Sequence, residues 1–328
     1  MSDRLSRREF LGAAAAASTA AAATDSGAKT LPTRALGKTG VRVTILAMGC
    51  GSRLLSYQTA DKAAAALNLA FEHGVRYFDT AYGYGNGKSE TWVGEALSDR
   101  RKEFFLATKI NARDGDEAKR ILEGSLKRLK TDHLDLIHVH SLTGDDDLAQ
   151  VEAKGGVLEL LYKLREQKVT RFIGMTSHTD PVTLKTAIER HDIDCTQMAL
   201  NAALQGMRDG KGKMVLNPAM KTSFEHVALP AARKKNLGIL AMKVMGQEEL
   251  LGSGTSMGDH AKLLQYTLSL PVTAAVVGMP KLEFVPQNTA WARGFKPMPW
   301  GDMKDFSQRL SDANKAALDF KFRDHIDA

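Results

Sequence analysis

Three apolar runs, each closing on a polar residue, recur along this chain at nearly equal steps. Val75, Tyr77 and Phe78 lead to Asp79, the run from Phe104 leads to Lys109, and the run from Leu134 leads to His140. Lys109 follows Asp79 by 30 residues and His140 follows Lys109 by 31, about the length of a strand–helix–strand unit. Units of this size in series predict an α/β fold, a (β/α)8 barrel, in which chemistry gathers where the strands end. Asp79, Lys109 and His140 fall at such ends, and Tyr84 follows Asp79 by five residues in a Gly-rich stretch. A carboxylate, an ammonium, a phenol and an imidazole at one mouth make a proton-transfer site.

The same residues carry a family likeness. VRYFDTAYGYGNGKSETWVGEAL at 75–97, FFLATK at 104–109 and HLDLIHVHSL at 133–142 resemble the aldo-keto reductases, and RALGKTGVRVTILAMGCG at 34–51 resembles their N-terminal hairpin and first barrel strand. The likeness runs from about Leu31 to Asn288. It implies a TIM barrel with an N-terminal β-hairpin cap and an NADP-dependent oxidoreductase that reduces the carbonyl of an aldehyde, ketone or sugar. The expected division is a signal and linker at 1–30, the barrel at 31–299 and a C-terminal extension at 300–328.

Hydride delivery to a carbonyl leaves negative charge on oxygen, so the site must supply a proton and stabilise the developing alkoxide. Tyr84 is the expected acid, with Lys109 lowering its pKa by favouring the phenolate. Asp79 should keep Lys109 charged and oriented, and His140 should donate a hydrogen bond to the carbonyl oxygen. His138 shares a strand face with His140 by period two but lies farther from the mouth.

The resemblance also implies a nicotinamide cofactor, NADP(H), with NAD(H) as the alternative. Ser177 in FIGMTS and Gln197 in DCTQMALN should hold the carboxamide. His178 stands where the family has asparagine, and Met242 stands where an aromatic ring stacks on the nicotinamide. Lys243 replaces a hydroxyl residue and could meet the pyrophosphate or be a solvated lysine. VVGMPKLEFVPQN, from Val276 to Asn288, resembles the segment that grips the adenosine 2′-phosphate and contains Gly278. Phe284 aligns with the family's phosphate-clamping arginine, which leaves Lys281 as the charge there.

A net charge of +7 and a pI near 9.3 raise nucleic acid as a partner, but the basic residues are scattered and form no binding motif. A solvated basic surface and a small-molecule carbonyl or sugar substrate are expected instead. Cys50 and Cys195 lack metal-ligand spacing and read as buried thiols, with no metal implied. The tail from Trp300 to Ala328 holds no cysteine, unlike the cysteine-rich tail of iron–sulfur relatives.

Ser6-Arg7-Arg8-Glu9-Phe10-Leu11 matches the twin-arginine (Tat) export pattern. An Ala-rich run from Gly12 to Ala23 follows, ending in a small-residue cleavage site. The alternative is a basic, frayed N-terminal helix. Export by the Tat machinery to the periplasm would let the chain fold and load its cofactor first. No later stretch approaches the ~20 apolar residues of a membrane helix.

Along the barrel, strands are expected to end near Gly49, Asp79, Lys109, His140, Ser177, Leu200, Lys243 and Gly278. Helical stripes are expected at Ala64, Leu67, Ala70 and Phe71, at Ile121, Leu122, Leu126 and Leu129, and at Leu158, Leu161 and Leu164. Met207 to Pro218 reads as a flexible basic loop over the mouth, with Gly210, Lys211, Gly212 and Lys213. Gly83, Gly85 and Gly87 fit a loop that presents Tyr84 better than a dinucleotide fingerprint. Two other functions stay open: a sugar oxidoreductase that retains its cofactor, and a nucleotide-binding redox sensor without turnover.

Overall fold

The computed structural model describes residues 30–209, 214–217, 219–254 and 257–323, with side chains to residue 312. Arg7, Arg8 and the rest of the expected export signal before Thr30 lie outside the described residues, as do Gly210, Lys211, Gly212, Lys213 and Pro218.

A two-stranded antiparallel hairpin, β1 (Thr33–Ala35) with β2 (Arg42–Thr44), comes first. Eight parallel strands then close into a barrel: β3 (Leu46–Gly49), β4 (Tyr77–Asp79), β5 (Phe105–Ile110), β6 (Leu134–Val139), β7 (Thr170–Ser177), β8 (Cys195–Ala199), β11 (Gly238–Met242) and β12 (Ala274–Val277). Each ends within one residue of its expected position. Between β8 and β11 the structure departs from expectation. The loop predicted from Met207 to Pro218 contains a hairpin, β9 (Gly206–Asp209) with β10 (Met214–Asn217), because Met207 and Leu216 are buried and fix its register.

Helices start where short polar side chains accept backbone N–H groups that the first turn leaves unpaired. Asp114 accepts from Glu117 N at 2.8 Å and Asp259 from Lys262 N at 2.8 Å. Asp180 accepts from Val182 N at 2.8 Å ahead of Pro181 at the first helical position. In Ala60–Glu72 the buried stripe is Ala63, Ala66, Leu67, Ala70 and Phe71, with Ala64 only partly covered. Leu158, Leu161 and Leu164 are all buried, whereas Ile121 and Leu126 are partly so.

Period two along the strands separates two cores. Ala47, Tyr77, Phe105, Ala107, Leu136, Cys195, Leu240, Ala274 and Val276 fill the barrel interior, plugged from below by Leu36 and Val43 of the hairpin. At Gly238 a Cβ would sit 2.5 Å from Leu36 Cδ1, so only glycine admits the plug. Alternate residues such as Phe78, Leu106 and Ile137 face the helices. Stepping two residues toward the carboxyl end from the inward apolar set reaches Gly49, Asp79, Lys109, His138, Gln197, Met242 and Gly278. The strand pleat carries these residues to the upper end of the interior. A 24-residue helix, Trp300–Arg323, closes the described chain, with Met303, Phe306 and Leu310 buried.

Candidate active site

A cleft of about 910 Å³ opens over the carboxyl ends of the strands. Asp79, Tyr84, His140, His178, Gln197, Met242, Lys243, Gly278 and Asn288 line it, together with Arg53, His260 and Phe284. A second cleft, of about 850 Å³, lies at the amino ends. Buried Asp135 accepts there from Arg101 at 2.9 Å and Arg171 at 2.8 Å, and from Leu106 N at 2.8 Å. That network ties strands together at the end of the barrel opposite the one where chemistry gathers.

Lys109 is buried behind the cleft wall, where its ammonium donates to Asp79 Oδ1 and, at 2.8 Å, to Thr80 O. Burial alone would push Lys109 down, but the Asp79 carboxylate and the Tyr84 phenol outweigh it, and the ammonium is held above its ordinary value. The same ammonium lies 5.2 Å from the centre of the Tyr84 ring. The Tyr84 pKa differs from expectation. Burial raises it, Lys109 lowers it, and burial wins. The phenol therefore stays protonated at neutral pH, with a cation beside it to receive the phenolate.

Tyr84 is presented by the expected loop. Gly85, Asn86 and Gly87 have φ of 65°, 52° and 88°, left-handed values that turn the chain into the helix Lys88–Leu97. Buried Glu90 of that helix accepts from Thr108 Oγ1 at 2.6 Å and Arg128 Nε at 2.9 Å. Glu90 thus binds the Tyr84 loop to the strand carrying Lys109. No sequence pattern pairs Glu90 with Arg128.

His140 stands edge-on to Tyr84, ring centres 5.7 Å apart, and 6.1 Å from His178. Arg113 donates to His140 O at 3.0 Å and is paired with Asp147 at 2.7 Å, which anchors the turn after β6. Burial first, then the charges of Lys109, Arg113 and Lys243, push the His140 imidazole down to about 3. It is neutral and keeps one N–H to donate. His138 is buried below, with Gly174 providing the space its ring needs: a Cβ there would meet Nδ1 at 2.6 Å.

Several buried polar atoms in the cleft have no partner among the described residues: Gln197 Oε1, His178 Nδ1, Asp79 Oδ2 and Asn288 Oδ1. Gln197 Nε2 reaches Asp79 Oδ1 at 3.4 Å. Groups of this kind cost stability unless something bonds them. A long ligand with polar groups at both ends fits: Gln197 and His178 lie at the Tyr84 end, and Asn288 lies beside Phe284. His260 packs against the Phe284 ring at 5.1 Å, an aromatic platform at the position where the resemblance implies a basic clamp.

Two expected cofactor residues stand apart. Ser177 is fully buried, donates to Leu142 O at 2.7 Å and accepts from Asp180 N at 3.1 Å, and is not in the cleft wall. Lys281 is 66% exposed and approaches Glu283 at 4.0 Å, outside the cleft wall. Lys243 is not a solvated surface lysine but a partly buried wall residue. Arg53 escaped the sequence reading: it donates to Gln247 O at 2.9 Å and pairs with Glu248 at 3.5 Å, spanning the cleft. Its place just after the first barrel strand was the available signal. Cys50 and Cys195 are free, buried thiols, and no metal-ligand cluster occurs among the described residues.

Comparison with known proteins supplies the lineage. The model of the Aldo/keto reductase family matches residues 47–269. The chain is 29% identical over 286 residues to the uncharacterized oxidoreductase YqkF of Bacillus subtilis, covering 78% of this chain and 89% of that one. It is 35% identical over 261 residues to the uncharacterized oxidoreductase YrpG of the same organism, covering 70% and 73%. Among solved structures, an aldo-keto reductase from Klebsiella pneumoniae in complex with NADPH superposes with a TM-score of 0.66 at 21% identity, covering 86% of this chain and 96% of that one.

Proposed function

The chain belongs to the aldo/keto reductase family, and from that premise we propose that it is an NADP(H)-dependent oxidoreductase reducing the carbonyl of an aldehyde, ketone or sugar. The observation that carries this reading is the convergence of Tyr84, Lys109, Asp79 and His140 at one end of the cleft. A pure nucleotide binder has no use for a phenol held protonated beside a buried ammonium.

Bound NADPH would supply the hydride, two electrons with one hydrogen, to the carbonyl carbon. Tyr84 donates its proton to the carbonyl oxygen as the C=O π pair moves onto that atom. Lys109 stabilises the phenolate left behind, and a proton from water restores the phenol. His140, neutral, donates its N–H to the same oxygen and orients it. Asp79 keeps Lys109 charged through the cycle. Gln197 and His178 offer hydrogen bonds for the nicotinamide carboxamide, Met242 a thioether contact for its ring, and Gly278, Asn288 and Phe284 the adenosine end. The NADPH-bound Klebsiella pneumoniae relative supports this choice of cofactor.

Mixing the protein with NADPH and a panel of aldehydes, ketones and sugars tests the reading. Carbonyl-dependent NADPH oxidation is expected, and its absence across the panel would reject turnover. Residues 1–30 we read as a Tat signal and linker, the signal directing the folded protein to the periplasm, on the strength of Arg7, Arg8, Phe10 and the Ala run. Replacing Arg7 and Arg8 by lysine preserves charge but removes guanidinium geometry, so the precursor should stay inside the cell. Undiminished periplasmic delivery of that variant would refute the signal.

A further inference from the structure

His138 is a buried imidazole that the reaction as drawn does not use, and neither of its ring nitrogens has a partner among the described residues. It is not among the cleft-wall residues, so neither cofactor nor substrate reaches it. Its level in the barrel follows from the strand register. The strands tilt, with a shear of about eight residues around the barrel, so side chains from every second strand share one level, about two residues on from the register partner. Asp79 pairs with Ala107 and Ala107 with Leu136, and two residues on stands His138. The same step from His138, through Gly174 and Cys195, reaches Gln197. From Gln197, through Leu240 and Ala274, it reaches Val276. Asp79, His138, Gln197 and Val276 therefore form one level across the barrel, and Gln197 Nε2 meets Asp79 Oδ1 there at 3.4 Å. Lys109, the register partner of His138 on the neighbouring strand, stands just above.

We propose that His138 Nε2 and Asp79 Oδ2 share an enclosed water molecule, and that His138 thereby positions the carboxylate that holds Lys109. This inference rests on the reductase reading and adds a positioning residue to it. Asp79 spends Oδ1 on Lys109 and Gln197, while Oδ2 is buried without a partner among the described residues. His138 and Asp79 share a level yet make no direct hydrogen bond, the arrangement that a bridging water completes. The Nδ1–Cε1 edge of the ring lies over Gly174, where a Cβ would come within 2.6 Å of Nδ1 and 2.8 Å of Cε1. Nε2, the tip of this inward-pointing ring, is left toward the barrel axis. Ala107 and Gly174, on the strands flanking His138, contribute almost no side-chain volume beside it. Donors and acceptors balance. A neutral imidazole donates its Nε2 N–H to the water oxygen, and the water donates to Oδ2, which only accepts. Tyr77 Oη, buried, without a partner among the described residues and two residues below Asp79 on the same strand face, can accept the second water hydrogen. An enclosed water needs about two to four such partners. Burial, then the charges of Lys109 and His140, keep the His138 imidazole neutral, as this donor pattern requires. Without the water, two unbonded nitrogens would only cost stability.

A high-resolution crystal structure of the wild-type protein should show an ordered water within hydrogen-bonding distance of both His138 Nε2 and Asp79 Oδ2. Density without such a water overturns the inference, whatever the protein reduces. The water present in a protein that reduces no carbonyl compound supports the bridge and sinks only the reductase reading. Kinetics test the positioning role. His138→Leu removes the donor and keeps apolar bulk, so kcat should fall about 10-fold, the worth of one hydrogen bond to a charged group. The KM for the carbonyl compound and the affinity for NADPH should stay near their wild-type values. His138→Gln keeps an N–H and should retain most of kcat. A ring that serves packing alone predicts otherwise: wild-type kcat in His138→Leu, or His138→Gln as slow as His138→Leu, overturns the positioning role. Should His138→Leu fail to fold, the wild-type crystal and His138→Gln still decide.

Discussion

The Lys109 ammonium lies 5.2 Å from the centre of the Tyr84 ring and on the carboxylate of Asp79. Burial raises the phenol's pKa and the ammonium counteracts it without prevailing. Replacing Tyr84 by phenylalanine removes one hydroxyl from a preformed wall. Carbonyl reduction should fall about 100- to 10,000-fold, the usual contribution of a general acid, with the melting temperature and NADPH affinity nearly unchanged. A variant retaining half the wild-type rate would remove Tyr84 from the chemistry.

Arg128→Met should destabilise the fold more than an ordinary surface change. Glu90 is fully buried, and its Oε2 accepts from Arg128 Nη2 at 2.8 Å, so the variant strands a carboxylate. Breaking such a pair costs about 3–5 kcal/mol, less here because Arg128 is 26% exposed. A drop in thermal midpoint together with slower turnover is expected, because Glu90 also anchors the Tyr84 loop. Glu90→Gln with Arg128→Met should recover much of the midpoint.

Acid should weaken the protein from below about pH 6.5. His138, His140 and His178 are all held below the ordinary imidazole value by burial, His140 at about 3. The unfolded chain therefore binds protons that the folded chain refuses. Stability is full above the unfolded pKa and is lost as pH falls toward the folded one. Chemical unfolding at pH 7 and pH 5 should show the loss, and His140→Asn should reduce it by about 1–2 kcal/mol, given 1.36 kcal/mol per pKa unit. Equal stability at the two pH values would contradict the buried neutral state.

Preference for NADPH over NADH should be modest. In the proposed cofactor placement Phe284 offers a ring to the adenosine, and Lys281 is 66% exposed, so solvent screens its charge. NADPH should bind more tightly by a few-fold, and salt should narrow the gap. Lys281→Met should bring the two affinities closer. Fluorescence titrations at two ionic strengths measure all three, and a large, salt-independent NADPH preference would point to a clamp other than Lys281.

Much of the site was legible because strand geometry is local. Once Tyr77, Ala107, Leu136 and Cys195 are recognised as inward apolar residues, period two places Asp79, Lys109, His138 and Gln197 above them. The Gly83–Gly87 loop could be read because positive φ selects glycine. Arg53, Arg113 and the Glu90–Arg128 pair were not legible. Each acts through a partner far along the chain, and a single guanidinium or carboxylate carries no local mark of its partner. The hairpin hidden in the expected loop was missed for the same reason: its apolar residues count only once something covers them.

From the chain alone follow the barrel, the order of its strands and the residue types at their upper ends, because alternation and unit length are properties of neighbouring residues. What those side chains do was decided by the tertiary structure. Ser177 spends its hydroxyl on Leu142, Lys281 is not among the cleft-wall residues, Tyr84 stays protonated despite Lys109, and the Lys243 ammonium has no partner among the described residues. Pairing and desolvation depend on which distant groups share a few ångströms, and only the closed fold sets that.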